Sequence, residues 1–507
     1  MPVLPSSGHS TVVPASPQPA SLPRIASLVF RSALLPGTGH LATGHRRWGR
    51  VILAVALVVL AAGVATAVVA VVSPATAASY TVRPRWLWAL RWGSIVLAVA
   101  WVVVILRSAV LARPGSRGTA GRLVAGGLAL VLAVAVAVPA AFVTHYADVQ
   151  LAFVQDVFHD STPMAGGAVA QAPSALARKG RLNVLLVGSD AGPDRTGVRT
   201  DTLVLASLDT RTGRSVLFTL PRNLERVPFA PGSVMAREFP RGFVCGGDCL
   251  LNAVYGWGAD HPMLFPGDPD PGMTALRSAV SEILGLTIDY DAFVDLAGFS
   301  ALVDALGGVT IRVERRLPIG GLDADGNQVR PSGHIEPGLQ RMDGEKALAY
   351  ARSRSDSSDY ERVQRQRCLL GALQRQADPG TLLTNFQQLA TSTADALQTD
   401  IPRSLLPDLV KLAFKVKEQP ILSLTFTPPL IDTNRPDFAA IRGYVQAALV
   451  PAPSPSPTID GPTTGGPTAA PTTPAPGAPA PGPSASPPAG ATTGPAPVSV
   501  DDVCSYS

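Results

Sequence analysis

Residues 183–190 read NVLLVGSD and residues 199–209 read RTDTLVLASLD, two short apolar runs that each meet a carboxylate at one end. Apolar runs of this length, bounded by Gly, Ser, Thr and Asp, read as strands over 183–188 and 202–209. A Thr-Arg-Thr-Gly turn at 210–213 leads into a third strand, RSVLFTL, over 214–220. Helices are expected near 274–284, 296–306 and 359–376, with another strand, VTIRV, at 309–313. Strands interleaved with helices make the fold class mixed α/β.

Working outward, the 507-residue chain is 46% hydrophobic with a mean hydropathy of +0.24, more apolar than a soluble protein needs. Residues 51–72 and 123–143 carry no charge, and about 20 apolar residues suffice to cross the hydrocarbon core. A third span is expected over 86–106, with Arg91 snorkelling and Trp86, Trp88 and Trp92 forming an interfacial belt. Arg24, Arg31, Arg46, Arg47 and Arg50 precede the first span, and Arg107, Arg113, Arg117 and Arg122 lie before the last. This bias places the N-terminus in the cytoplasm and everything after about residue 144 outside it. A cleaved signal peptide is not expected, because a long polar stretch precedes the first apolar run. The organisation is then a cytoplasmic segment at 1–50, a membrane anchor of three transmembrane helices at 51–143, an extracytoplasmic linker at 144–178, a folded domain at 179–450, and a tail at 451–507. That tail is so rich in Pro, Ala, Thr, Ser and Gly that it is expected to be disordered.

Of 42 basic residues only Lys179, Lys346, Lys411, Lys415 and Lys417 are lysines, and the net charge is only +5 with no Lys/Arg block. No nucleic-acid partner is expected. Cys245 and Cys249 bracket a Gly-Gly-Asp loop, and outside the cytoplasm such a pair reads as a disulfide, since no second pair completes a metal site. Cys368 and Cys504 could form a bond, but a free thiol or a tail tether would look the same.

Two groups of residues carry chemistry. Asp190 closes the first strand and Asp201 opens the second, which makes them neighbours at the sheet. Two carboxylates sharing a ligand phosphate suit Mg²⁺, although Asp190 could equally cap a turn while Asp201 pairs with Arg199. Arg222 follows the third strand, and Arg352, Arg354, Arg362, Arg365 and Arg367 crowd one segment. If residues 352–354 are extended, Arg352 and Arg354 point to one side. Ser358 and Glu361 form a capping box that starts a helix at Asp359 and sets Arg362 and Gln366 on one face. Planar guanidiniums match phosphate oxygens bidentately, while a solvated basic helix would show the same run. The chain has no GxxxxGK[ST], GxSxG, HExxH or strand-following GxGxxG motif, which favours a donor already activated and borne by the membrane.

The chain resembles the LytR-CpsA-Psr family over about Asn183 to Gln374. The likeness rests on NVLLVGSD, the RTD triplet, TLPRN (219–223), LNAVYGWG (251–258), DYDAFVDLAGFSALVDALGGVTIRV (289–313) and PGLQRMDGEKALAYARSRSDSSDYERVQRQR (337–367). The resemblance implies an α/β/α extracytoplasmic catalytic domain with a central mixed sheet and an apolar groove for an isoprenyl chain. It implies Mg²⁺ on Asp190 and Asp201, pyrophosphate held by Arg199, Arg222, Arg352 and Arg354, and further contacts from Asp359, Arg362 and Gln366. Asn223 stands where the family usually has Asp, so weaker positioning of Arg222 is expected; the three spans, in place of the usual one, are a second departure. The apolar stretch 293–306 could line the groove or be plain core.

The implied reaction moves a glycopolymer from a polyprenyl-pyrophosphate carrier to peptidoglycan at the cell membrane, with Asp190, Asp201 and Arg222 at its centre. Hydrolysis of the carrier, or binding without turnover by an envelope regulator, are the rivals.

Overall fold

The computed structural model describes residues 22–111, 118–158, 176, 179–189, 199–246, 249–320, 329–353, 359–376, 397–450, 497–499 and 504. Helices open the chain: α1 (Leu22–Leu34), α2 (Thr38–Ala42), α3 (Arg46–Val72), α4 (Pro74–Thr81), α5 (Pro84–Leu111) and α6 (Gly118–Asp156). Three of them, over Arg46–Val72, Pro84–Val110 and Gly126–Asp156, are long and apolar enough to cross a membrane. α6 runs on past residue 143, so the segment read as a linker begins as helix. Arg91 is paired with Asp148 at 2.8 Å and lies over the Trp88 and Trp92 rings, which ties α5 to α6 at the level of the tryptophans.

Strands β1 (Arg181–Ser189), β2 (Thr200–Asp209) and β3 (Ser215–Leu220) follow, then α7 (Val234–Glu238), α8 (Val254–Asp260), α9 (Pro271–Leu284), β4 (Tyr290–Val294) and α10 (Leu296–Ala305). Next come β5 (Val309–Val313), β6 (Leu317–Ile319), β7 (Gly333–Ile335), β8 (Gly338–Met342), α11 (Gly344–Arg352) and α12 (Asp359–Gln376). β9 (Leu397–Thr399), α13 (Leu406–Lys417), β10 (Ile421–Thr425), α14 (Phe438–Leu449) and β11 (Val498–Ser499) complete the chain.

The main sheet has seven strands in the order β11-β10-β3-β2-β1-β4-β9. It is mixed: β1 is antiparallel to β2 and parallel to β4, and β3 is antiparallel to β2 and parallel to β10. Alternation sends Leu185, Val187, Leu203, Leu205 and Phe218 to one face, where they pack with residues of α9 and α14. On the other face Leu182 and Val184 meet Leu405 and Leu412 beneath α13. Both faces are covered, which explains why these strands read as continuous apolar runs.

A second lobe is built from the β5–β8 ladder and α10 to α12 around Val303, Val309, Met342, Tyr350 and Leu369. VTIRV is a strand over the expected residues, but it belongs to this lobe, and Phe293 and Val294 of the expected apolar helix finish β4 instead. Asp295 and Asp343 cap α10 and α11 by accepting from Gly298 N and Lys346 N at 2.8 and 2.9 Å. Only glycine fits at 344, where a Cβ would come within 2.0 Å of Ser300 O; this is how closely α10 and α11 approach.

Of the segment expected to be a disordered tail, residues 451–496 lie outside the described residues, while residues 497–499 and 504 are placed against the folded domain. Val498–Ser499 pairs with the open edge of β10, and Cys504 is bonded to Cys368 of α12. Cys245 and Cys249 form the expected disulfide, with their Cα atoms 5.5 Å apart.

Candidate active site

The ends of the two central strands begin the site. Ser189 pairs with Thr200 across a register shift after Gly188, so the carboxyl end of β1 lies beside the start of β2 and Asp201. β3 runs back to the same end and delivers Arg222 just past Leu220. Arg222 Nη1 donates to Asp201 Oδ1 at 2.7 Å, and Arg362 Nη1, from the first turn of α12, donates to Asp201 Oδ2 at 3.4 Å. One carboxylate thus holds guanidiniums from two parts of the chain. The Arg362 side chain is only 4% exposed, against 23% for Arg222 and 24% for Asp201.

This cluster sits at the mouth of an open cavity of 260 Å³. Its floor is the second sheet face, at Leu186, Gly188, Val204 and Val294, and its walls are α10 through Leu296, Phe299 and Leu302 and α12 through Leu369, Leu370 and Leu373. Gly188 keeps the floor low, since a Cβ there would lie 3.1 Å from Thr202 Cβ. Arg352, Arg362, Gln366 and Asp201 line the cavity, with Ser189, Thr202 and Asp295 as its further polar residues. A charged rim on an apolar chamber suits a molecule with an anionic head and a hydrocarbon tail. The stretch 293–306 therefore serves both of its expected roles, as Phe299 and Leu302 line the cavity while Val303 is core.

Of the expected site residues, the structure brings Asp201, Arg222, Arg352, Arg362 and Gln366 together. Arg199 is exposed just ahead of β2 and is not among the residues of the cavity wall. Asp190, Arg354 and the Asp359 side chain fall outside the described residues. Arg352 is the last residue of a helix and not part of an extended pair, so the expected alternation with Arg354 does not apply to it. Asn223 is no orienting partner of Arg222: its Nδ2 donates to Thr433 Oγ1 at 3.3 Å, and Asp201 holds the guanidinium.

Two supporting residues had no role of their own in the sequence, Arg365 counting only as one of the arginine run and Asn252 only as part of a quoted motif. Buried Arg365 donates through Nε to Tyr350 O at 3.2 Å and through Nη2 to Ser353 O, fastening α12 to the end of α11 beside Arg352. Asn252, within LNAVYGWG, donates from its backbone N to Arg222 O at 3.0 Å, and its carbonyl accepts from Thr200 Oγ1 at 3.4 Å. Arg365 bonds to main-chain carbonyls and Asn252 bonds through its own main chain, so only their place inside the quoted motifs could have flagged them.

Asp201 fits Mg²⁺ in donor chemistry, as a hard carboxylate at a rim open to ligand phosphate. Among the described residues no three His, Cys, Asp or Glu side chains cluster. Elsewhere, Asp291 of β4 is pushed up to about 7 by burial and by the Asp400 carboxylate, against the pull of Arg277. Arg277 Nη1 donates to both carboxylates, at 2.8 and 2.6 Å.

Residues 152–434 match the LytR_cpsA_psr family, and the chain belongs to that family. It is 30% identical over 302 residues to the probable cell wall biosynthesis protein LcpB of Corynebacterium glutamicum, covering 55% of this chain and 57% of LcpB. It is 25% identical over 274 residues to the polyisoprenyl-teichoic acid–peptidoglycan teichoic acid transferase TagU of Enterococcus faecalis, covering 52% of this chain and 77% of TagU. The match thus spans little more than half of LcpB. The crystal structure of Bacillus subtilis TagV is similar at 22% identity and a TM-score of 0.36, covering 53% of this chain and 97% of TagV.

Proposed function

We propose that this protein is a membrane-anchored transferase that moves a glycopolymer from a polyprenyl-pyrophosphate carrier to peptidoglycan. The observation that carries the reading is the pairing of one carboxylate with two guanidiniums at the rim of an apolar cavity, in a chain with three membrane-spanning candidates. Family membership and the names of LcpB and TagU support it.

Transfer of a phosphoryl-linked glycan needs charge neutralisation and alignment more than covalent help from the protein. Arg222, Arg352 and Arg362 grip the pyrophosphate oxygens, and Asp201 holds two of these forks in place before the donor arrives. Gln366 adds a hydrogen bond at the rim, and the apolar walls exclude water from the carrier's first isoprene units. A peptidoglycan hydroxyl oxygen bonds to the phosphorus nearest the glycan, the bond from that phosphorus to the polyprenyl phosphate breaks with the electron pair going to the leaving phosphate oxygen, and the hydroxyl proton passes to that phosphate or to solvent. Asp190 and Asp201 would hold Mg²⁺, which supplies positive charge to the pyrophosphate. The arginine bias around the spans supports a catalytic domain outside the cytoplasm.

Acceptor dependence tests the reading. The full chain is incubated with a lipid-pyrophosphate glycan, with and without peptidoglycan. Consumption of donor only when acceptor is present is expected, while equal consumption in both arms would mean hydrolysis.

A further inference from the structure

Just past Arg222 the chain leaves β3 and builds an arm, residues 224–246, at the same end of the sheet as the site. Its base is fixed beside Arg222: Leu251 N donates to Leu224 O at 3.0 Å, Glu225 N donates to Thr433 O at 3.0 Å, and Glu225 bridges to Leu250. The Cys245–Cys249 disulfide closes its far end. Within it the Phe229, Phe239 and Phe243 rings pack tilted or edge-on, and Phe239 also meets Trp257 of α8 with centroids 5.0 Å apart. Interlocked rings of this kind leave the arm little freedom.

On this support one residue is held in a costly conformation. Arg226 has a φ of 53°, and among the described residues it is the only non-glycine with positive φ. A residue with a Cβ is disfavoured there by roughly 1–2 kcal/mol relative to glycine. The neighbouring segment enforces it: a Cβ on Gly242 would come within 2.6 Å of Arg226 O, and Phe243 N donates to Val227 O at 2.8 Å. The same contact sets Arg226 alongside Arg241. Both side chains are exposed, and among the described residues neither has a hydrogen bond or an ion pair, Glu225 and Glu238 of the arm included. Strain kept by its surroundings, with the strained side chain left to solvent, marks positions that hold a ligand.

Place selects the ligand. Four residues of chain span at most about 14 Å, so Arg226 stands within that distance of Arg222. No residue of the arm lines the cavity, which puts the pair outside the rim. In-line displacement brings the acceptor to the phosphorus from the side opposite the polyprenyl phosphate, which the cavity holds. The acceptor therefore arrives from outside the rim, and peptidoglycan carries on its peptides carboxylates that guanidinium forks match bidentately. We propose that Arg226 and Arg241 bind peptide carboxylates of the peptidoglycan acceptor and hold it beside Arg222 for attack. This rests on the reading of the reaction as transfer to peptidoglycan. The test gives the full chain in lipid nanodiscs a lipid-pyrophosphate glycan and soluble peptidoglycan fragments, with carboxylates either free or converted to amides. Arg226→Gly and Arg241→Gln should each raise the KM for free-carboxylate fragments about tenfold, the scale of one charge-assisted hydrogen bond, with the donor KM at its wild-type value. On amidated fragments the wild type should match both variants. Glycine takes a φ of 53° without strain, so Arg226→Gly should unfold at or above the wild-type temperature, which separates lost binding from lost structure. An unchanged acceptor KM, an equal loss on amidated fragments, or a rise in the donor KM would overturn the proposal. Binding of the fragments is also measured without donor. Carboxylate-dependent binding that needs both arginines, with no phosphodiester formed when donor is added, would keep the arm's role and remove the transferase reading; transfer with binding indifferent to both arginines would do the reverse.

Discussion

The forked guanidinium of Arg365 reaches two carbonyls, Tyr350 O and Ser353 O, across the junction of α11 and α12. An ammonium cannot span both, so Arg365→Lys should destabilise the fold by about 1–3 kcal/mol and lower turnover through a displaced Arg352. Urea denaturation and kcat/KM for transfer check both effects; a wild-type midpoint would show that the clamp is dispensable. Asp201→Asn leaves Arg362, almost fully buried, without the anionic oxygen it now meets. A stability cost of about 1–3 kcal/mol is expected, with a much larger loss of transfer, because two guanidiniums are released at once. Asp201, Arg222, Arg352, Arg362 and Gln366, which the structure brings together, could be named in the sequence because they fall in the motifs that carry the family resemblance. Arg365 had no role beyond the arginine run and Asn252 none beyond its motif, since a bond made to or from a main-chain atom is open to many residues and leaves no pattern.

At the scale of elements, β4, α9 and the turn after β9 meet at Asp291, Arg277 and Asp400. Asp291 holds its proton up to about 7 in the fold, because burial and Asp400 disfavour its charge, whereas an unfolded aspartate loses it near 4. Between those values the native state binds the extra proton, so this group's contribution is full below about pH 4 and falls by about 1.4 kcal/mol per unit as pH rises towards 7. Asp291→Asn should flatten that slope in denaturation curves taken across pH 4–8; an unchanged slope would remove Asp291 as its origin. The Cys368–Cys504 bond closes a loop of sequence separation 136 and pins the chain's end to the helix that carries Arg362. Cys504→Ser should cost about 2–4 kcal/mol in urea denaturation and loosen the pairing of Val498–Ser499 with β10, seen as faster amide hydrogen exchange there. The first three strands could be read directly, for each is a short apolar run between turn residues. β4 could not, because Asp289 and Asp291 flank Tyr290 where a strand reads as uninterrupted apolar, and β11 exists only through its partner β10.

At the scale of the molecule, span lengths could be read from hydropathy, but the grip of the anchor on α10 and α13, where Phe153, Val154 and Val157 cluster with Ala305 and Leu406, could not. It joins residues distant in sequence through apolar contacts indistinguishable from any other core. Orientation is checked at Met263, 90% exposed on the catalytic domain. In intact cells Met263→Cys should react with a membrane-impermeant maleimide, and reaction only after lysis would put the domain inside. The central claim is tested most directly by the bond that the reaction makes. Full chain in nanodiscs is given a polyprenyl-pyrophosphate-linked glycan and peptidoglycan, and the digested wall is analysed by mass spectrometry. A phosphodiester joining glycan to a peptidoglycan sugar, with one polyprenyl phosphate released per bond formed, is the predicted result. Free glycan phosphate, or donor left intact while bound to the protein, would contradict it.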